Sequence, residues 1–167
     1  YLVGQSGRVA EGFFRRNPGL GVDFRANALI TNKTPIHTAK TRHLNYLAAH
    51  GSPALRQALQ ESQLEMARQT AFLHRRLFAE EGTMLYLVGY AELKGKGIFL
   101  PYRDELRRSY DGDAAAWGAV CVYQHFSMNR FLIDLKAFMA AGGGEDLAAS
   151  LRALGLRHRD EIWPPEG

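Results

Sequence analysis

"SPALRQALQESQLEMARQTAFLHRRLFAEEG", residues 52–82, is the longest uninterrupted helical pattern in the chain. It opens with Ser52 and Pro53, a cap residue followed by a proline at the first helical position. Gly82, at the other end, is typical of a residue that terminates a helix. The stretch therefore predicts a single helix from Pro53 to Glu81.

This predicted helix is apolar on two sides. Drawn at about 100° per residue, it carries one stripe of apolar side chains and a second stripe roughly opposite. The first stripe consists of Leu55, Leu59, Met66, Leu73 and Leu77, and the second of Leu64, Ala67, Ala71 and Phe78. A helix with two apolar sides is expected to lie sandwiched between other elements.

A second long helix is predicted over residues 114–141. Asp113 precedes it as a cap residue, and the glycines at 142–144 end it. It also has two apolar stripes. They are Trp117, Cys121, Met128, Leu132, Leu135 and Met139 on one side, and Val122, Phe126, Ile133 and Ala137 on the other.

Two segments show strand patterns. Residues 22–28, "VDFRANA", alternate apolar and polar, which predicts a half-buried strand running to Ile30. Residues 84–90 and 98–102 are short apolar runs with a Gly/Lys-rich turn between them, which favours a β-hairpin. A helix through Leu93 is the competing interpretation of this second segment.

Shorter helices complete the pattern: one ahead of the turn at residues 17–21, one after Pro35 that stops at His50, and one over 145–154. The chain is therefore predicted to be α+β and helix-dominated, with two long sandwiched helices beside a small antiparallel sheet of two or three strands. If the hairpin is absent, the prediction becomes an all-α bundle. The length fits a single domain, residues 1–167.

Composition excludes several classes of protein. The chain is 46% hydrophobic and 23% charged, which is typical of a folded domain and not of a disordered chain. Its single cysteine, Cys121, forms neither an intrachain disulfide nor a thiolate cluster, so a reducing compartment is expected. No apolar run approaches the roughly 18–20 residues that span a bilayer. We therefore expect a soluble cytoplasmic protein without a membrane span.

Positive charge is concentrated in the first third of the chain. Residues 1–50 carry seven Lys and Arg against two acids, whereas the remaining residues carry 14 against 15. A basic face raises the affinity and the encounter rate for polyanions. The charge distribution therefore favours a nucleic-acid partner, without distinguishing DNA from RNA.

The stretch "NKTPIHTAKTRH", residues 32–43, is the first candidate site. It gathers cations near a predicted helix start, where unpaired backbone N–H groups favour an anion. The candidate phosphate contacts are Lys33, Lys40, Arg42 and His43. Cations on the solvated face of a helix start are the alternative explanation.

Two further segments extend this hypothesis. Lys94 and Lys96 lie among the glycines of the predicted turn, where exposed backbone N–H groups also suit a phosphate. Arg107 and Tyr110 lie in a polar connector and combine a cation with an aromatic ring that stacks on a base. A tight turn and an ordinary connector explain the same residues without a ligand.

A rival hypothesis places a small-molecule pocket between the two long helices, in a sensor or small enzyme domain. On the second helix His125, Asn129 and Lys136 fall within about 40° of one another, and Tyr123 is also expected to line the pocket. His125 would act there as acid, base or ligand contact. A solvated strip explains the same residues. In a third hypothesis, the chain is a structural subunit whose extra apolar stripes cover a partner chain.

The sequence contains no recognisable catalytic or metal-binding pattern. His37, His43 and His50 lack the i,i+4 spacing of a helical zinc pair, and no serine lies in a nucleophile elbow. Cys121 lies on an apolar stripe and is expected to be a small buried hydrophobe. We therefore expect no catalytic residue, no metal and no cofactor, and a non-enzymatic role is favoured.

The leading prediction is a nucleic-acid-binding or nucleoprotein-complex component. It would hold phosphates through the basic N-terminal third and the Gly/Lys-rich turn, largely independently of base sequence. The same prediction allows protein partners in a complex and an oligomeric state. Binding that weakens steeply with salt is the expected signature.

Overall fold

A computed structural model of the protein describes residues 4–36, 38, 41–95 and 97–165. These residues form helices and two short strands. The helices are α1 Gln5–Arg16, α2 Thr41–His50, α3 Pro53–Glu81, α4 Tyr90–Lys94, α5 Leu100–Arg108, α6 Ala114–Trp117, α7 Arg130–Ala140 and α8 Leu147–Ile162. The strands are β1 Leu85–Val88 and β2 Val120–Tyr123. The predicted helix-dominated α+β class is confirmed.

The chain groups into two compact units. Unit 1 is drawn from residues 1–30, 85–91 and 120–167, and unit 2 from residues 31–84 and 92–119. Unit 1 thus contains α1, both strands, α7 and α8, whereas unit 2 contains α2, α3, α5 and α6. A single domain over residues 1–167 stays a prediction.

The helix predicted over residues 53–81 is confirmed as α3. Ser52 caps it by accepting a hydrogen bond from the Leu55 N–H at 3.2 Å, and Gly82 ends it with a φ of 66°. Its buried side chains follow one stripe about 120° wide. They are Leu59, Gln63, Ala67, Thr70, Ala71 and His74. The buried stripe takes in Leu59 of the first expected stripe and Ala67 and Ala71 of the second, and its polar members lie between them.

The second long helix predicted over residues 114–141 is wrong. Asp113 caps α6 by accepting a hydrogen bond from the Ala116 N–H at 3.1 Å, but α6 ends at Trp117. The strand β2 follows, and all four of its residues are buried. A strand buried on both faces shows no alternation of apolar and polar residues. Periodicity alone therefore does not distinguish its continuous Val-Cys-Val-Tyr run from a segment of a buried helix.

The antiparallel hairpin predicted over residues 84–102 is also wrong. Its first strand exists as β1, but the four residues of β1 pair in parallel with the four residues of β2. Gly89 ends β1 with a φ of 112°, a conformation that favours glycine, and α4 begins at the next residue. A parallel pair needs a crossover of a dozen or more residues. The helices α4 to α6 provide that crossover.

The strand predicted over residues 22–30 is replaced by a turn at residues 24–26. The Asp23 carboxylate accepts hydrogen bonds from the N–H groups of Arg25 at 2.9 Å and Ala26 at 3.1 Å. Such local side-chain contacts compete with the hydrogen bonds of a sheet. The alternation of apolar and polar residues therefore does not correspond to a strand here.

Unit 1 is built around the contact of α8 with β2. At Gly155, an added Cβ would lie 2.6 Å from both the Cys121 Cβ and the Tyr123 hydroxyl. The Tyr123 hydroxyl donates a hydrogen bond to the Leu151 carbonyl at 3.0 Å, one turn earlier on α8. The helix predicted over 145–154 is therefore longer than expected, because its glycine lies inside it and permits the close approach.

Unit 2 is built around the contact of α3 with α5. His74 lies 2.7 Å from the Tyr110 hydroxyl through Nδ1 and 2.9 Å from the Thr83 carbonyl through Nε2. Because a carbonyl only accepts, the neutral ring carries its proton on Nε2 and accepts the Tyr110 hydroxyl proton at Nδ1. Both ring nitrogens of this buried histidine therefore have partners.

Candidate nucleic-acid interface

The outer face of α2, in unit 2, combines an arginine with a tyrosine and two histidines. Leu44 is the buried residue of this helix and anchors its opposite side. Arg42, His43, Tyr46 and His50 are all exposed and fall within about 100° of helical arc. We call this set the α2 face. It contains two residues that the sequence-based prediction included, Arg42 and His43, and two that it missed.

Tyr46 is the most distinctive member of the α2 face, because 65% of this aromatic residue is exposed. Its ring centroid lies 4.6 Å from that of His50, one turn later, with the ring planes 42° apart. An aromatic ring with a free face stacks on nucleic-acid bases, and nearby cations bind phosphates. The α2 face therefore offers both kinds of contact within two helical turns.

Hydrogen bonds to α3 hold the chain at both ends of α2. Before the helix, the Ile36 N–H donates to Thr34 Oγ1 at 3.2 Å, and Thr34 Oγ1 lies 3.0 Å from Ser62 Oγ. After it, Arg56 donates to the Gly51 carbonyl at 2.6 Å. These contacts link the chain on either side of α2 to α3 within unit 2.

A long acid-free segment surrounds the α2 face in the sequence. Residues 24–60 contain five Lys and Arg and three His, but no Asp or Glu. Arg42 thus has no acidic neighbour in sequence that would neutralise it, whereas Arg25, at the edge of the segment, pairs with Glu11. This signal, together with the i,i+4 spacing of Arg42, Tyr46 and His50, was sufficient to find the face from sequence.

Lys33 occupies a different environment from the one predicted. Its ammonium nitrogen lies 5.3 Å from the centroid of the Phe99 ring, a cation–π arrangement. Burial lowers the pKa of this ammonium group, and the Glu92 carboxylate partly offsets the effect. A lysine held in this way is poorly placed to bind an external phosphate, so Lys33 is not part of the α2 face.

The other predicted lysines do not form a Gly/Lys-rich turn between two strands. Lys40 and Lys96 lie outside the described residues. Lys94 is the exposed last residue of α4, a helix that stands where the turn was expected. Its role as a phosphate contact stays a prediction.

Arg107 and Tyr110 do not form an exposed stacking pair. The Arg107 guanidinium lies 4.9 Å from the Trp117 ring centroid and 3.2 Å from the Asp111 carboxylate. Tyr110 is only 1% exposed, and its hydroxyl contacts His74. The predicted stacking of Tyr110 on a base is therefore wrong, because no face of its ring reaches the surface.

The residues predicted to line the alternative pocket do not lie on one helix face. Tyr123 is buried in β2, His125 follows that strand and Asn129 has a φ of 54° before α7 begins. Lys136 is an exposed residue of α7. His125 Nδ1 lies 2.7 Å from the Ser127 hydroxyl. The shared face was wrong because it assumed one continuous helix across residues 114–141.

A polar cluster in unit 1 lies at the carboxyl ends of the two parallel strands. His158, on α8, is buried, with Nδ1 3.2 Å from the Val122 carbonyl and Nε2 3.4 Å from the Asp134 carboxylate. The Tyr90 ring stacks on the imidazole at 3.9 Å, and its hydroxyl donates to Glu161. Burial lowers the pKa of His158, while Asp134 and Val122 oppose that shift. The cluster thus extends from the buried His158 to the exposed Glu161 at the surface of unit 1.

Unit 1 also has a surface pocket of about 500 Å³ between α1 and the turn that follows it. Phe14 and Phe24, whose rings are nearly parallel at 6.0 Å, form part of its wall. Arg25 and Glu11, also in the wall, form an ion pair at 2.7 Å. The two charges thus compensate each other within the pocket.

The described residues include no cluster of three or more His, Cys, Asp or Glu arranged to hold a metal ion. Within the same part of the chain, no helix combines the length and the apolar character needed to cross a membrane. Cys121 is buried, and burial raises the pKa of its thiol. A reactive thiolate is therefore disfavoured at this position.

We expect stability to fall as the pH drops below about 6.5. Burial lowers the pKa of both His74 and His158 in the folded chain. The unfolded chain therefore takes up protons first, and the free energy of unfolding decreases as the pH falls through the unfolded value and then through the lower folded one. Urea midpoints from about pH 8 to pH 5.5 measure this effect.

The two tryptophans allow each unit to be followed separately. Trp117 lies in unit 2 with His74, and Trp163 lies in unit 1 with His158. Emission from a Trp163→Phe variant therefore reports on unit 2, and emission from a Trp117→Phe variant reports on unit 1. Midpoints that stay constant over this pH range would contradict the prediction.

No protein family matches this sequence, and no curated protein or solved structure is detectably similar to it.

Proposed function

We propose that the protein binds nucleic acid through the α2 face, as a non-enzymatic binding module or as a component of a nucleoprotein complex. Arg42 and His43 contribute contacts to phosphates, and Tyr46 with His50 contributes an aromatic surface. Lys40, immediately before α2 in the sequence, adds a further cation to this set.

One observation carries this proposal: a tyrosine that is 65% exposed lies on the same helix face as Arg42, His43 and His50. Tyr46 lies one turn from the Arg42 guanidinium, and an aromatic ring beside a cation is the contact set that binds nucleic acid. The acid-free segment 24–60 supports the same partner, because Arg42 lies far in sequence from any acid that would offset its attraction for a polyanion.

The proposal is tested by fluorescence anisotropy with labelled oligonucleotides of about 16 nucleotides. We expect wild-type binding to weaken steeply between about 50 and 200 mM salt, because released counterions dominate the affinity. Arg42→Glu is expected to weaken binding by roughly tenfold or more at the lower salt concentration, since it replaces a phosphate contact by a repulsive charge.

Arg8→Glu is the matched control. Arg8 is an exposed residue of α1 in unit 1, and its replacement changes the net charge by the same amount. We expect this variant to bind nearly as well as the wild type. Equal losses in the two variants would show that only overall charge matters, and an absence of salt-dependent binding would reject the proposed function.

A further inference from the structure

The α2 face has the chemistry of a site for unpaired bases. Tyr46 is exposed near the middle of the face, with Arg42 one turn before it and His50 one turn after it. The Cα atoms of Arg42 and His50 are about 12 Å apart along the helix. An aromatic ring thus lies between the Arg42 guanidinium and the His50 imidazole on a short and continuous surface.

A stacking ring needs a base whose flat face is free. In a duplex, neighbouring base pairs cover both faces of each base, and the grooves present only base edges. In a single strand, the bases separate and stack on aromatic side chains while cations follow the backbone. Tyr46 therefore matches the unpaired form of the polymer, and the His50 ring, 4.6 Å away, widens the aromatic surface.

We infer that the α2 face selects single-stranded polynucleotide over duplex, with one base stacked on Tyr46. This inference rests on the proposed function and deepens it by naming the form of nucleic acid that is bound. Stacking involves the ring face and is sequence-tolerant, because every base has such a face. Arg42 and His43 then contact the adjoining phosphates in DNA and in RNA alike.

Three variants separate stacking from charge and from the simple loss of an exposed ring. Tyr46→Ala removes the stacking ring, whereas Tyr46→Phe keeps it and removes only the hydroxyl. Phe72→Ala is the matched control, since Phe72 is a 60% exposed aromatic residue on α3 in the same unit. The arginines one turn to either side of Phe72 are ion-paired, Arg68 with Glu105 and Arg76 with Glu80. Both replaced residues are largely exposed, so all three variants are expected to fold, which circular dichroism and thermal midpoints verify.

The probes are oligo(dT), oligo(U) and a mixed-sequence DNA duplex, each about 16 nucleotides or base pairs long. We expect the wild type to bind both single strands more tightly than the duplex. Tyr46→Ala is expected to weaken single-strand binding by about 5- to 150-fold, the range for loss of one stacked base. Tyr46→Phe and Phe72→Ala should stay close to wild type, and duplex binding should change little in all variants.

A spectroscopic readout tests stacking directly. A single 2-aminopurine in the oligo(dT) is expected to change its emission on binding to the wild type or to Tyr46→Phe, but not to Tyr46→Ala. Equally tight binding of duplex and single strands, or unchanged binding by Tyr46→Ala, would overturn this inference and leave the proposed function standing. If none of the three polymers binds, the proposed function itself fails.

Discussion

Gly155→Ala is expected to destabilise unit 1 strongly, although it replaces glycine by alanine inside a helix. The added Cβ would lie 2.6 Å from the Cys121 Cβ and 2.6 Å from the Tyr123 hydroxyl. Carbon atoms in contact prefer about 3.5–4.0 Å. The helix α8 must therefore move away from β2 or the strand must shift, and neither has free space, because both contacted residues are buried.

The expected cost exceeds the gain in helix propensity. Alanine is favoured over glycine in a helix interior by about 0.8–1.0 kcal/mol. Overpacking in a core costs about 1–3 kcal/mol, occasionally more, and two contacts this short place Gly155→Ala at the upper end. Displacement of α8 also strains the hydrogen bond that the Tyr123 hydroxyl donates to the Leu151 carbonyl. We therefore expect a net loss of about 2 kcal/mol.

Gly12→Ala supplies the matched control, with the same substitution in a helix of the same unit. There the added Cβ would meet only the Arg16 guanidinium, at 3.2 Å, and a flexible side chain can move. This variant is expected to be neutral or slightly stabilising. Urea unfolding followed by Trp163 emission in a Trp117→Phe background measures both. Equal stabilities of the two variants would contradict the role assigned to Gly155.

The sequence correctly predicted those helices and strands whose bounds are set by residues close to them in the chain. The helix α3 was predicted with its bounds, because a serine cap, a proline and a terminal glycine act within a few residues of it. The glycine at 155 gave the opposite result. A glycine at this position resembles the end of a helix. In the structure, glycine is needed at 155 because β2, which is distant in sequence, approaches α8 closely there.

The sheet depended on a partner that no local pattern identifies. The β1 segment was recognised, but its pairing with β2 joins segments separated by three helices. The Val120–Tyr123 run was assigned to a predicted helix, since burial on both faces removes the alternation that marks a strand. The site prediction failed wherever it relied on that helix, as at His125 and Asn129.

The sequence identified residues of the candidate interface from their charge, but it did not show which of the predicted residues are buried. Arg42 and His43 were found from local positive charge and are exposed on α2. Lys33 and Tyr110 carry the same kinds of group, but Lys33 is half-buried with its ammonium over the Phe99 ring, and Tyr110 is buried beside His74. Sequence composition does not reveal which cation or ring will be buried, because burial is set by tertiary contacts.

His74→Leu is expected to destabilise unit 2 by about 2–4 kcal/mol. Leucine occupies a similar volume but removes both hydrogen bonds of the imidazole. The Tyr110 hydroxyl and the Thr83 carbonyl then lose their partner, and an unsatisfied buried polar group costs about 1–3 kcal/mol. Unfolding followed by Trp117 emission in a Trp163→Phe background measures the loss.

Tyr110→Phe completes a double-mutant cycle with His74→Leu. Alone, this variant leaves His74 Nδ1 without its hydroxyl donor, and we expect a loss of about 1–3 kcal/mol. In combination the loss should be smaller than the sum of the single losses, because no polar group of this pair remains unsatisfied at the contact. Additive losses would show that the 2.7 Å contact between the imidazole and the hydroxyl contributes nothing to stability.

The His74→Leu variant should also lose the acid sensitivity of unit 2, because it removes the buried imidazole whose pKa is lowered by burial.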